Sequence, residues 1–126
     1  MTGTVRVRAA RGAIKVGGGR ADLVLSATER LLGALLERNH VELEDLISIL
    51  FTATDDIRSV FPAEAARRMG MGVVPLMCAQ EIPVEGSMPF VVRILAHFHS
   101  GRGLADVEHV YLDGAEALRD DLEPSG

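Results

Sequence analysis

The stretch LISILFTAT at residues 46–54 is almost wholly apolar and has the length of a strand. It lacks the apolar–polar alternation of a strand with one wet face, and such runs are expected to be covered on both faces. In a chain of 126 residues, so apolar a strand predicts either that sister subunits bury the other face of the sheet or that it is simply buried in the core of a monomer. Length and composition predict one domain over 1–126, with its core at about 4–122 and a short polar C-terminal tail.

Working outward from that strand, Asp55-Asp56 turns the chain and Phe61-Pro62 opens a helix through 63–69, since proline suits a first helical turn. Gly70 and Gly72 end it, and residues 73–77 form a short strand. Glu85-Gly86-Ser87 marks a turn before FVVRILAHFH (90–99), a long strand. A loop at 101–103 and a last strand at 108–112 precede the tail, which has a helical turn at 115–118. On the N-terminal side, 42–45 is an acidic turn. In the helix over 21–38, Val24, Thr28, Leu31, Leu32, Leu35 and Leu36 share one face. Asn39-His40 closes that helix, with asparagine suited to the left-handed cap. The glycines at 17–19 form a loop, and TVRVR (4–8) alternates as a first strand ended by Arg11-Gly12. The order β-α-β-α-β-β-β predicts an α+β domain, a mixed sheet with helices on one face.

Composition narrows the function. Apolar residues make up 48% of the chain with four Phe, one Tyr and no Trp, so the core rests on aliphatic side chains and Tyr111 stands out. A single cysteine, Cys78, excludes an internal disulfide and suits a reducing compartment. With no apolar leader and no membrane-length run, a cytoplasmic protein is expected. A net charge of −5 disfavours nucleic acid as a partner. It leaves room for a small anion, because local arginines set the field of a pocket.

Arg93 is the sharpest anomaly. Its neighbours Val91, Val92, Ile94 and Leu95 are all apolar, and a guanidinium cannot discharge itself by losing a proton. Either its strand face meets solvent or it projects into an anion-binding pocket. Arg11 precedes a glycine at an expected strand end, where ligand groups are often placed. Arg67 and Arg68, on the second helix, read first as surface arginines. A pocket gathering several arginines suits a dicarboxylate, which guanidinium groups match in bidentate fashion. Cys78 and Glu81 lie three apart; a nucleophilic cysteine would need a partnering base. His97 and His99 could present two imidazoles on one strand face, but no second cluster completes a metal site. His40 and His109 show no pattern, and the glycines at 17–19 lack the lysine of a phosphate loop. The residues by themselves point to a pocket for a small anion and leave the reaction open.

Taken in order, several stretches resemble the monofunctional trimeric chorismate mutases of the Bacillus type, from about residue 5 to 122. They are Arg8-Ala9-Ala10-Arg11-Gly12-Ala13, Phe51-Thr52-Ala53-Thr54-Asp55-Asp56, Val60-Phe61-Pro62-Ala63, Val74-Pro75-Leu76 leading to Cys78 and Glu81, Arg93 in its strand, and His109-Val110-Tyr111-Leu112 followed by Leu118-Arg119. The resemblance implies a homotrimeric pseudo-α/β barrel with helices outside and active sites between subunits. It implies conversion of chorismate to prephenate in phenylalanine and tyrosine biosynthesis, without cofactor or metal. Arg93 would meet the ether oxygen, Arg11 and Tyr111 the carboxylates, and Glu81 and Cys78 the ring hydroxyl. Arg67 would close the site, Phe61, Ala63 and Leu118 would wall it, and Met77 and Arg119 would adjoin it. Phe61, Ala63, Arg67 and Cys78 of one subunit would face Arg11, Glu81, Arg93 and Tyr111 of its neighbour.

Three features depart from the family pattern: Glu64, where relatives often carry lysine; Met77, in place of a small polar residue; and the glycines at 17–19. The competing reading is a non-catalytic or deaminase-type trimeric protein that binds small carboxylates on a similar fold. A purely structural oligomerising domain would instead leave Arg93 in solvent or paired with an internal acid.

Overall fold

A computed structural model of the chain describes residues 4–121; position 122, the expected end of the core, lies outside the described residues. The elements are β1 (Arg6–Lys15), α1 (Ala21–Arg38), β2 (Leu46–Ala53), α2 (Ala63–Arg68), β3 (Leu76–Gln80), β4 (Val91–Ser100) and β5 (Val110–Leu112). Short 3-10 turns lie at Leu43–Asp45, Leu104–Asp106 and Ala115–Asp121. The strands form one sheet in the order β3-β2-β4-β1-β5. Central β4 runs antiparallel to β1 and β2, whereas the outer pairs β1–β5 and β2–β3 are parallel.

Register sorts the side chains into two faces, because alternate residues of a strand point opposite ways. Ala10, Gly12 and Ile14 of β1 lie level with Ala96, Ile94 and Val92 of β4, which in turn lie level with Ile49, Phe51 and Ala53 of β2. This face is buried beneath Val24, Leu31, Leu32 and Leu35 of α1 and Ala63 and Ala66 of α2. Burying each of the leucines contributes roughly 1.5–3 kcal/mol. Both helices therefore cover the same side, giving the expected α+β arrangement.

The other face carries Arg11, Leu50, Thr52, Arg93, Leu95 and Tyr111. It is closed at one end by a small cluster in which Met88 and Leu118 pack on Ala13, Val91, Tyr111 and Ala115. Elsewhere it is open: Leu50 and Leu95 are half-buried and Met77 of the edge strand is exposed. Within the chain, the strand at 46–53 is thus sealed on one side only. Ile49 and Phe51 are buried, while Ser48, Leu50 and Thr52 remain partly accessible.

Several boundaries differ from the sequence expectation for identifiable reasons. β1 does not stop at Arg11-Gly12 but runs on to Lys15. Gly12 packs tightly against β5 and α1; a Cβ there would lie 2.6 Å from the Val110 carbonyl oxygen and 3.0 Å from Leu31 Cδ1. The glycine marks close packing within a strand rather than its end. β3 begins at Leu76 instead of 73, because Pro75 has no N–H for a ladder and offers only its carbonyl, which accepts the Ile49 N–H at 3.0 Å. β5 starts at Val110, two residues later than expected. At the end of α1 the left-handed residue is His40, φ 54°, and not Asn39. Asn39 is buried, and its side-chain amide donates to the Leu35 and Glu108 carbonyl oxygens at 2.8 Å each while its oxygen accepts the Glu108 N–H at 2.8 Å.

Gly12→Ala should destabilise the fold by about 1–3 kcal/mol, the range for forcing extra volume into a packed interior. A lower urea midpoint at unchanged slope checks this; an unaltered midpoint would show that β5 and α1 do not close on this position.

Candidate active site

Two cross-sheet rows build the site on the open face. In the first, Thr52 of β2, Arg93 of β4, Ala13 of β1 and Tyr111 of β5 stand side by side. In the second, Leu50, Leu95 and Arg11 are level with one another. Between the rows lies a cleft of about 260 Å³ lined by Arg11, Leu50, Thr52, Glu81, Arg93, Leu95 and Tyr111. The small side chain of Ala13 separates Arg93 from the phenol. Four residues singled out from the sequence, Arg11, Glu81, Arg93 and Tyr111, therefore line one cavity, although they come from distant parts of the chain.

Arg93 faces this cleft with its side chain 38% exposed, and its Nε lies 3.4 Å from Glu81 Oε1. That Nε is buried and makes no hydrogen bond among the described residues. The guanidinium is held beside one carboxylate but is not saturated by it, which leaves hydrogen-bonding capacity for an anion. Glu81 is itself anchored: the Thr52 hydroxyl donates to Oε2, and the Glu81 N–H donates to the Ala53 carbonyl at 2.9 Å. The start of β4 is clamped as well. Asp56 accepts the Phe90 N–H at 3.1 and 3.2 Å, and the Thr54 hydroxyl oxygen accepts the Val91 N–H at 3.0 Å. These bonds hold residues 54–56, after β2, against the strand that carries Arg93.

Tyr111 is buried against Ala13, Val91 and Ala115, with the Arg119 guanidinium carbon 5.7 Å from its ring centroid. Leu118 lines an adjoining recess with Glu81, Met88 and Arg93. Beside Arg11, His109 Nδ1 accepts the Arg11 N–H at 3.1 Å. Burial, followed by the positive charges of Arg11 and Arg119, lowers the His109 pKa below its ordinary value of 6.5.

The remaining candidates lie elsewhere. A larger recess, about 800 Å³, opens at the β2–β3 edge and is lined by Ile57, Val60, Phe61, Glu64 and Cys78 among others. It contains none of the arginines at 11, 67 and 93, so volume alone does not locate the charge chemistry. Phe61 is 72% exposed and Met77 67% exposed, whereas Ala63 is buried in the core. Arg67 is exposed, with Nη1 3.3 Å from Glu64 Oε1, and Arg68 Nε is 3.9 Å from Oε2 of the same glutamate. Within one chain, the Phe61–Cys78 group and the Arg11–Arg93 group do not converge. Sequence reasoning missed Thr52, which positions Glu81, although its alternation with Ser48 and Leu50 could have put it on the open face. It also assigned nothing to His109. Among the described residues no group of three or more His, Cys, Asp or Glu side chains is arranged to hold a metal ion. No helix there is long and apolar enough to cross a membrane.

Comparison with known proteins bears on this geometry. The family model described as chorismate mutase type I matches residues 7–122. A chorismate mutase AroH of Thermus thermophilus is 47% identical over 118 residues, covering 93% of this chain and 97% of that protein. The AroH chorismate mutase of Bacillus subtilis is 35% identical over 117 residues, 92% of each chain. A solved chorismate mutase from Clostridium thermocellum superposes with a TM-score of 0.85 at 42% identity, covering 86% of this chain and 97% of the other.

The lowered His109 pKa has a signed consequence for stability. The unfolded chain takes up a proton at this residue more readily than the folded one, so stability rises with pH between the folded value and 6.5. The contribution is complete above 6.5 and is lost as pH falls through the folded value. Thermal melts of the wild type should therefore drop in midpoint below pH 6.5, and His109→Asn should flatten that part of the curve; parallel curves for the two proteins would contradict it.

Proposed function

The chain belongs to the type I chorismate mutase family and is an isomerase of aromatic amino acid biosynthesis; on that premise we propose that it rearranges chorismate to prephenate in clefts completed between the subunits of a cytoplasmic homotrimer. The observation that carries this reading is the convergence of Arg11, Glu81, Arg93 and Tyr111 on one cavity of the open sheet face. The family match leaves no support for the carboxylate-binding or deaminase-type alternative.

Chorismate passes through a single pericyclic transition state in which the ether C–O bond breaks as a C–C bond forms. Negative charge grows on the ether oxygen as that bond lengthens, and no proton has to move. The reaction therefore requires no nucleophile and no general base. A guanidinium pointed at the ether oxygen stabilises charge that exists mainly in the transition state, which is where binding energy accelerates a reaction. Arg93 fills this role, with Glu81 and Thr52 holding it in place before substrate arrives. Arg11 and Tyr111 take the carboxylate oxygens. Glu81 and Cys78 take the ring hydroxyl, with Cys78 acting as a packing and hydrogen-bonding group.

Two features support a site shared between copies. The charged cleft and the Phe61–Cys78 recess sit apart within one chain. The open face also leaves Leu50 and Leu95 half-buried and Val7 and Met77 exposed, an apolar surface that a second subunit would cover. With a neighbour in place, Phe61, Arg67 and Cys78 wall the cleft while Ala63 stays in the core of its own subunit, and Arg67 leaves its surface pair with Glu64 for the substrate. Exposed pairs of this kind contribute little stability, so the exchange costs little. Leu118 closes the opposite wall, with Met77 and Arg119 at the margins. Together these walls hold the compact, diaxial substrate, which is a positioning effect.

Arg93→Ala should lower turnover at least ~100-fold, the scale for removing a preorganised charge-stabilising donor. Loss of chorismate absorbance, followed without added metal, checks it, and near-normal turnover in a folded variant would refute the role. Cys78→Ser should keep most activity; a folded but inactive serine variant would demand nucleophilic chemistry instead. Light scattering should report three chains per particle, whereas a stable monomer would remove the shared clefts.

A further inference from the structure

We propose that His109 is a positioning residue for this reaction: by accepting the Arg11 backbone N–H at Nδ1, its ring sets the direction in which the Arg11 side chain leaves β1. The inference rests on the reading of Arg11 as a carboxylate-binding group.

The ladder between β1 and β5 begins at Gly12 opposite Val110. Arg11 lies one residue before that ladder, and the acceptor for its N–H is the imidazole of His109, 3.1 Å away. The side chain thus extends the pairing by one step, at the residue that reaches into the cleft. A chain of contacts from the core fixes the backbone just before the ring. Asn39, at the end of α1, bonds to both the N–H and the carbonyl of Glu108 and to the Leu35 carbonyl, all at 2.8 Å. Asn39 is 2% exposed, so its geometry is set by packing. Residue 108 is pinned to the helix, and His109 follows it directly.

Backbone orientation and side-chain direction are coupled in a strand, since the Cα–Cβ bond is rigidly set by the peptide planes on either side. A small rotation of the Arg11 peptide is carried outward along a long side chain and moves the guanidinium off the directional geometry that a carboxylate contact needs. The bond needs a lone pair on Nδ1, which places the ring proton on Nε2. A protonated ring would turn a donor toward the Arg11 N–H. Arg11 on β1 and Arg119 in the turn after β5 face the ring, and with burial they favour its neutral form.

The test compares side chains that differ in where they place an acceptor. An asparagine Oδ1 sits the same number of bonds from the backbone as Nδ1, whereas a glutamine amide reaches one bond further. Chorismate consumption by the purified enzyme would be measured for His109→Asn, His109→Gln, His109→Ala and Arg11→Ala. His109→Asn should keep KM within about twofold of the wild type, while His109→Gln and His109→Ala raise it about 5- to 10-fold with kcat little changed, as expected for one hydrogen bond's worth of lost substrate positioning. In an Arg11→Ala background, His109→Gln should no longer alter KM, because the effect passes through Arg11. Should the alanine variant not fold, the asparagine–glutamine contrast remains decisive. Equal KM values for Asn and Gln, or a persistent Gln effect without Arg11, would overturn the positioning role. An unchanged KM in Arg11→Ala alone would instead overturn the reading of Arg11.

Discussion

A permanent cation on the middle strand of the sheet sets the terms for everything around it. Arg93 cannot discharge itself, and the residues before and after it, Val92 and Ile94, point into a dry core. Its own side chain must therefore leave on the opposite face, where it needs an anion. Glu81 supplies one, arriving from the end of β3 and held by Thr52 from β2. Among the described residues, the contact leaves the buried Nε without a hydrogen bond. A charge only partly satisfied by its own protein retains capacity for a ligand, which is what the proposed electrostatic stabilisation of the transition state requires.

The sheet topology converts that local constraint into a site. Parallel pairs at both edges and an antiparallel centre bring residues from positions 11, 52, 81, 93 and 111 onto one face. The helices take the other face entirely, so within the described residues the charged side is covered only at one end, by Met88 and by Ala115 and Leu118 of the last turn. Next to the unsaturated arginine an apolar surface remains half-exposed. Phe61 and Cys78 line a separate recess, and the proposed sharing of the site between copies would join the two.

Glu64 shows how a departure from the family pattern works through local chemistry. Its carboxylate lies within 3.3 Å of Arg67 and 3.9 Å of Arg68, on an exposed helix face. Both arginines are thus partly neutralised where a lysine in place of Glu64 would add to the positive field. In the proposed site Arg67 would exchange this partner for an anionic substrate, and the exchange is inexpensive because the pair is solvated.

Periodicity and composition were enough to predict the element order, the helix over 21–38 with its buried face, and the mixed α+β class, because those follow from local patterns. They also marked Arg93, since a guanidinium among aliphatic residues is anomalous in any fold. The extent of β1, the start of β3 and the shortness of β5 depended on contacts between remote segments: the approach of Val110 and Leu31 to Gly12, the missing N–H of Pro75, and a histidine ring replacing a backbone acceptor. The roles of Asn39, Thr52 and His109 were hidden for the same reason, since each bonds to a residue distant in the chain. Residue types and their spacing thus determined which groups were available for anion chemistry. Only the tertiary structure decided which of them share a cavity, because strand order and register, not sequence distance, bring side chains within reach of one small molecule.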